Sequence, residues 1–272
     1  MNKDVIVLGS GMSILELSQQ EINYINSCEV IIAVNKFMAF YQKSKIVPTH
    51  IYYVDAYQRS VQIFLQHIFN VCRKNKLKGL TFILNKDISH YSTSNVYLYL
   101  YLNLKNVYRK IRYGSFMNRN FFLLPKNCYC DFITHQDWLK YDNTWATSLN
   151  EPLFHYRGSL STVLNYISIK YPNRSIRLVG VDFNSPQYFF QQELEKLELD
   201  WQDWTTPIVK EKGMHFSAVN YQGTTIFDKF GFMLEQLSAS GNSVYSCNSK
   251  SLLVEKGLVQ YASLESTVCE SC

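Results

Sequence analysis

The sequence predicts an α/β fold: a parallel sheet with helices on both faces. Three observations carry this. Short apolar runs of strand length recur, as in Val5–Leu8 and at 29–34, 50–54, 80–84 and 176–181. Segments with apolar residues at helical spacing separate them, most clearly at 58–72, where positions 61, 63, 64, 67, 68 and 71 form one face. The first run is followed at once by Gly9-Ser10-Gly11-Met12-Ser13, the small-residue turn of a strand-to-helix connection. Strand and helix in alternation place parallel strands in one sheet, in the Rossmann-like manner.

The elements follow in order. Val5-Ile6-Val7-Leu8 reads as a strand buried on both faces, and Ser13 opens a helical pattern that runs to about Asn26. Residues 29–34, 50–54 and 80–84 supply the second, third and fourth strands. Residues 159–171 are helical and are stopped by Pro172-Asn173; the strand after them ends in Gly180-Val181-Asp182. Residues 183–223 change character, being polar, aromatic and acidic (Glu193, Glu195, Glu198, Asp200, Asp203), and read as an inserted flap. Residues 227–237 are helical again, 244–247 a strand, and 251–257 a short helix stopped by Gly257. The expected organisation is one α/β unit, 1–182 with 216–272, and a lid at 183–215.

Composition narrows the function. Apolar residues make up 47% of the 272, enough for a full core, so a disordered chain is excluded. No apolar run approaches the roughly 18–20 residues of a membrane-spanning helix, and no leader pattern opens the chain, so a cytoplasmic protein is expected. The seven cysteines are scattered; Cys128-x-Cys130 and Cys269-x-x-Cys272 come closest to pairs, and reduced thiols are the reading. Charge is uneven. From Arg73 to Lys126 there are eleven Lys or Arg and one acid, Asp87, in a net charge of +5. No nucleic-acid-binding motif accompanies that stretch, so no nucleic-acid partner is expected. Tyr97, Tyr99 and Tyr101 alternate there with Leu98, Leu100 and Leu102, a pattern suited to docking on a membrane or a subunit.

In an open α/β sheet, ligands bind outside the carboxyl ends of the strands. This directs attention to Gly9–Ser13, Asn35-Lys36, Val54-Asp55 and Gly180–Asn184. The Gly9-Ser10-Gly11-x-Ser13 turn brings backbone close to a phosphate, but position 14 is Ile rather than the third Gly of a dinucleotide fingerprint, and no Gly-Lys-Ser/Thr follows. A tight turn with Ser13 as helix N-cap fits the same residues. No Asp-x-Asp pair, GxSxG, HExxH or P-loop occurs. Of six histidines, His215 lies at the end of the polar insertion, where an imidazole can act as a general base near neutral pH.

The ordered set of these pieces resembles the bacterial sialyltransferases of glycosyltransferase family 42, which use CMP-activated sialic acid. The opening strand and turn at 5–13, the strand ending in Val34-Asn35-Lys36-Phe37, and the helix led by Arg157-Gly158-Ser159 are similar to theirs. So are Gly180-Val181-Asp182-Phe183, Gly213-Met214-His215-Phe216-Ser217 and Cys247-Asn248-Ser249-Lys250-Ser251-Leu252-Leu253. Residues 60–150 match poorly.

The resemblance implies a GT-A-like variant of the fold and an inverting, metal-independent transfer of sialic acid from a CMP-sugar to a hydroxyl of lipooligosaccharide or capsule, without a cofactor. It implies catalytic roles for His215 as base, Tyr188 as hydrogen-bond donor to the departing phosphate, and Arg157 facing acceptor or phosphate. It implies donor contacts from Ser10, Gly11, Ser13, Asn35, Lys36, Asp55, Ser159, Ser161, Gly180, Asp182, Asn184 and Ser251. A homo-oligomer and a peripheral contact with the inner membrane are further expectations. Three positions depart from the pattern. Asn184 replaces a second phosphate-facing tyrosine, a neutral Asn of the family falls on Val54 or on the acidic Asp55 depending on one gap, and Lys36 replaces a neutral amide. A CMP-Kdo or other CMP-nonulosonate donor is therefore the alternative. A non-catalytic nucleotide-binding protein is the alternative of another class.

Overall fold

The computed structural model describes residues 3–54, 58–93, 95–113, 122–137, 144–197 and 213–264. The described strands are β1 (Val5–Leu8), β2 (Val30–Val34), β3 (His50–Tyr53), β4 (Thr81–Asn85), β5 (Ser92–Thr93), β6 (Phe122–Leu123), β7 (Tyr129–Ile133), β8 (Ser175–Val179), β9 (Ser243–Ser246) and β10 (Gln260–Tyr261). The α-helices are α1 (Gln19–Ser27), α2 (Tyr41–Ser44), α3 (Gln58–Lys74), α4 (Val96–Tyr113), α5 (Ser159–Lys170), α6 (Gln191–Glu195), α7 (Phe230–Ala239) and α8 (Leu252–Glu255). Eight strands form one parallel sheet in the order β10-β9-β8-β1-β2-β3-β4-β7, and β5 and β6 make a separate parallel pair. The predicted architecture is the observed one.

The central strands β8, β1, β2, β3 and β4 are buried on both faces, which is why they read as mostly apolar runs, whereas β7, β9 and β10 are largely half-buried or exposed. In β1, Ile6 and Leu8 feed the core under α1 and α3, while Val5 and Val7 feed the core under α5 and α7. The amphipathic pattern of α3 buries Phe64, Leu65, Ile68, Phe69 and Cys72 in the first core. Nearly all of α5 is buried, so it shows little amphipathicity.

The chain runs outward from β1 through β2, β3, β4 and β7, then returns to place β8 against the other side of β1. The strand order therefore reverses between β1 and β8, and the crevice at their carboxyl ends is the position such sheets use for ligands.

Two segments differ from the sequence expectation, and a third forms a helix where the sequence suggests no element. The helix expected from Ser13 is divided: a 3-10 turn covers Met12–Glu16, and α1 begins only at Gln19, because Ser18 and Glu21 form a reciprocal capping box that starts a new helix. The alternating Tyr/Leu stretch, for which the sequence pattern names no element, is the helix α4. The beginning of the flap is packed rather than loose. Phe189 and Phe190 are 1% exposed, with Phe190 stacked on Phe40 at 4.5 Å and Phe189 5.1 Å from Phe37.

One buried histidine, His50, and one half-buried histidine, His155, make the fold acid-sensitive. His50 contacts the Tyr171 hydroxyl through Nε2 at 2.7 Å and the Thr49 hydroxyl through Nδ1 at 2.9 Å. Nδ1 of His155 lies 2.9 Å from the Thr162 hydroxyl, and its ring is 4.9 Å from that of His135. Burial lowers both His50 and His155 to about 4, and lowers His135 as well. The folded state holds these rings neutral while the unfolded chain protonates them near the ordinary value. Stability is therefore full above about pH 6.5 and falls as pH drops toward 4. We expect urea denaturation to register a loss of about 2 kcal/mol for each ring between pH 7 and pH 5, and a flatter pH slope in His155→Asn. A stability that does not change over that interval would contradict this account.

Candidate functional site

The crevice between β1 and β8 is built around one carboxylate. Asp182, 4% exposed, accepts from the Ser13 amide at 3.0 Å and the Ser13 hydroxyl at 2.6 Å. It also accepts from the Asn248 side-chain amide at 2.8 Å. It thus joins the turn after β1, the turn after β8 and the loop after β9. The backbones meet as closely as the side chains. Gly9 N–H donates to Val179 O at 2.8 Å and Gly11 N–H to Gly180 O at 2.7 Å. A Cβ on Gly11 would collide with the Asp182 carboxylate, and one on Gly9 with the Gly180 carbonyl. Glycine is required at these two positions by proximity and not by backbone angle.

On the β2 side, Asn35 ends the strand at φ 55°. Its amide donates to the Ser159 hydroxyl at 2.9 Å, bridging the end of β2 to the first residue of α5. Lys36 lies with its ammonium 5.5 Å from the centre of the Phe64 ring. Asp55 lies outside the described residues.

The third part carries His215. Its backbone N–H donates to Phe183 O at 3.1 Å, and its ring meets those of Phe183 and Tyr188 edge to face at 5.6 and 6.3 Å. Tyr188 is fixed from both ends: Phe189 N–H donates to Ser10 O at 3.0 Å, and the Tyr188 ring stacks on Phe190 at 5.4 Å. The chain separation of His215 and Tyr188 is thus removed by the fold. The Ser217 amide donates to His215 Nδ1 at 3.2 Å. That nitrogen is then the acceptor, and the neutral ring carries its proton on Nε2.

Several expected donor contacts are engaged within the protein instead. Arg157, expected to face substrate, is 5% exposed. It donates from one guanidinium nitrogen to Phe216 O at 3.0 Å and Val219 O at 2.7 Å. The guanidinium also lies 4.8 Å from the Phe216 ring centre and 5.3 Å from that of Tyr221. It holds the segment that follows His215. Ser161 is fully buried; it donates to Gly158 O at 2.8 Å and accepts from Tyr156 N–H at 2.8 Å, closing the turn before α5. Ser251 is also fully buried; it donates to Val181 O at 2.8 Å and caps α8. Asp182 and the Ser13 hydroxyl are bonded to each other. Ser13 is not the helix cap; the 3-10 turn begins after Gly11. Asn184 is exposed and donates to Lys250 O at 2.8 Å. Ser10, Gly11, Asn35, Lys36 and Ser159 remain partly exposed around the crevice, and Gly180 forms its floor.

Backbone strain marks the same region. Asn35, Arg157 and Phe183 all adopt left-handed φ values, 55°, 55° and 62°. Non-glycine residues bear a cost of order 1–3 kcal/mol in such sparsely populated conformations and persist where surroundings enforce them, often at functional sites. Sequence reasoning assigned no role to Phe183, Gly158, Ser217 or Asn248. A Cβ on Gly158 would come within 2.5 Å of the Ser217 hydroxyl, so that glycine admits the His215 segment against the start of α5. All four lie within three positions of residues singled out from the sequence, but adjacency is silent about partners 32 or more positions away.

Among the described residues, no group of three or more His, Cys, Asp or Glu is arranged to hold a metal ion. Fold and site together define a doubly wound α/β protein with a polar crevice at its topological switch point. No protein-family model matches the chain, and no curated protein does. Among solved structures it is similar to a variant of the sialyltransferase CST-II in complex with CMP, at 14% identity and TM-score 0.46, over 96% of this chain and 86% of that one. It is also similar to the monofunctional alpha-2,3-sialyltransferase Cst-I from Campylobacter jejuni, at 14% identity and TM-score 0.39, over 93% of this chain and 78% of that one.

The Asp182 junction makes a stability prediction. Asp182→Ala leaves the Ser13 amide, the Ser13 hydroxyl and the Asn248 amide without their acceptor in a buried site, and we expect a loss of about 2–4 kcal/mol by chemical denaturation. Asp182→Asn keeps one acceptor oxygen and loses less. Equal stability of wild type and Asp182→Ala would remove the junction from this account.

Proposed function

We propose that this chain is an inverting, metal-independent glycosyltransferase. It moves a sialic acid from a CMP-sugar to a hydroxyl of a surface-glycan acceptor, in lipooligosaccharide or capsule. The observation that carries the reading is the convergence of widely separated sequence motifs on one crevice. The turn at 9–13, Asn35, Ser159, the 180–184 segment, Tyr188 and His215 meet at the carboxyl ends of β1, β2 and β8. Those are the pieces whose order in the chain resembles the CMP-dependent family. Residues 1–182 and 216–272 form the nucleotide-binding unit in this reading, and 183–215 its lid; 198–212 lie outside the described residues.

The chemistry follows from the donor. The bond from the anomeric carbon to the phosphate oxygen breaks, and CMP departs with the bonding pair. The transition state is cation-like, so the protein need only stabilise the growing negative charge on the phosphate and accept a proton from the incoming hydroxyl. The Tyr188 phenol donates to the departing phosphate. The partly exposed Ser10 at the 9–13 turn and the Asn35–Ser159 pair position the nucleotide. The acceptor oxygen attacks the opposite face, which inverts the anomeric centre, and His215 takes its proton.

That last step constrains the ring. A base needs a lone pair directed at the hydroxyl, whereas in the resting arrangement Nδ1 is already an acceptor for the Ser217 amide. The 3.2 Å contact must open, moving the proton to Nδ1 and leaving Nε2 to act as base. The same observation favours a second reading, in which Nε2–H stays a donor and supports the phosphate beside Tyr188. The substitutions separate them. Gln supplies an amide donor near the Nε2 position but no base. The base role predicts that His215→Gln and His215→Ala lose turnover alike, by about a hundredfold or more, with CMP affinity within about twofold of wild type. Substantial activity in His215→Gln assigns the ring to donation.

Arg157 is a positioning residue in this scheme. Both Arg157→Lys and Arg157→Ala should lower kcat by about tenfold or more with little change in CMP affinity, because an ammonium does not reproduce a planar group bonded to two carbonyls between two rings. Loss of CMP affinity instead would return Arg157 to the donor site. The assignment as a whole is tested by CMP release from CMP-sialic acid and CMP-Kdo, with and without chelator. Chelator-resistant release from one donor identifies the sugar. CMP binding without release from either donor fits a non-catalytic nucleotide-binding protein, and no affinity for any cytidine ligand refutes the reading. The expected setting is the cytoplasm, with a homo-oligomer and a peripheral contact at the inner membrane.

A further inference from the structure

We propose that the outward face of α4 docks on an anionic phospholipid surface. The helix is fastened along one stripe: Tyr99, Leu102 and Asn103 are half-buried, and the helix packs on β5 and β6. Among the other described side chains of the helix, six apolar ones are more than half exposed. Tyr97 is 85% exposed, Leu104 68%, Tyr101 59%, Val107 55%, Tyr108 54% and Leu100 51%. At about 100° per residue these six occupy one continuous sector of about 120° opposite the fastened stripe. Water-soluble proteins rarely leave so large an apolar surface uncovered. Tyr among Leu and Val is also the composition of a helix lying at headgroup depth, where the ring is apolar and the hydroxyl wet. No described helix is long and apolar enough to cross a membrane, so the contact is with a surface.

Charge selects the occupant. The 73–126 stretch that contains α4 has eleven basic residues and one acid, which is +10, while the whole chain is +5, so the remaining residues carry −5. Lys105 borders the apolar sector with its ammonium 5.8 Å from the Tyr101 ring centre. The last turn of the helix adds Arg109, Lys110 and Arg112 in sequence. Arg73, at the end of α3, donates to Leu123 O of β6 at 2.6 Å, and α4 packs on the same strand, so the basic end of α3 lies on the fastened side of α4. Beyond it Lys74, Lys76 and Lys78 are exposed. A second copy meeting this face symmetrically would bring the basic sets together. An anionic bilayer satisfies both the apolar sector and its cationic border.

The test uses the full chain and does not depend on transferase activity. Sedimentation with phosphatidylcholine vesicles, with and without phosphatidylglycerol, reads binding directly. The expected result is binding that requires phosphatidylglycerol, weakens with salt, and falls about tenfold or more in Leu100→Glu/Leu104→Glu. These two side chains are exposed, so the melting temperature should not change. Lys74→Glu/Lys76→Glu/Lys78→Glu, which alters no apolar contact, should weaken binding in the same direction. The proposal is overturned if wild type stays in solution with both vesicles, binds phosphatidylcholine equally, or binds as tightly in both variants. It is also overturned if Leu100→Glu/Leu104→Glu converts an oligomer to a monomer while wild type ignores vesicles, which would make this face an interface between copies.

Discussion

The arrangement of the crevice depends on the Asp182 carboxylate. A buried carboxylate is costly unless hydrogen bonds replace its lost water, and here three donors do so from two other loops. The consequence is geometric. The turn after β1 cannot move without the turn after β8, and the loop before α8 is attached to both. Ser251 reinforces the attachment by donating to Val181 O, one residue before Asp182. The Gly9 and Gly11 amides add backbone bonds to the end of β8. A ligand entering there would meet a floor already tied together by its own hydrogen bonds, which lowers the ordering cost of binding.

The opposite wall is assembled differently. The segment following His215 has little secondary structure of its own. It is held by Arg157 through two carbonyls and two rings, by Phe183 through one backbone bond and an edge-on ring, and by the absence of a side chain on Gly158. Arg157 and Phe183 both occupy left-handed conformations, so part of the packing energy is used to hold these strained residues. The floor thus rests on one buried carboxylate bonded to neutral donors, and the wall on aromatic and cationic contacts.

The fold was legible because its information is local. Buried parallel strands must be apolar at every position, and β1, β2 and β4 read that way from five or so residues each. The site was legible in outline for a related reason: a parallel sheet concentrates ligands at its carboxyl ends, so the residues just after each strand were the ones to inspect. Individual roles were harder to read. Arg157, Ser161, Asp182 and Ser251 are polar groups beside a crevice, which describes a ligand contact and a buried brace equally well. α4 was not legible as an element, because the helix is fastened by a narrow stripe and leaves its larger apolar sector outside.

By itself the sequence determined the alternation of strand and helix, the small-residue turn at 9–13 and the order of the motifs, because periodicity, chain stiffness and turn chemistry act over a few residues. Only the tertiary structure decided which polar side chains face the crevice and which are bonded inside the protein. Hydrogen bonds between Ser13 and Asp182, 169 residues apart, or between Arg157 and Val219, 62 apart, exist only once the sheet has brought their strands and loops together.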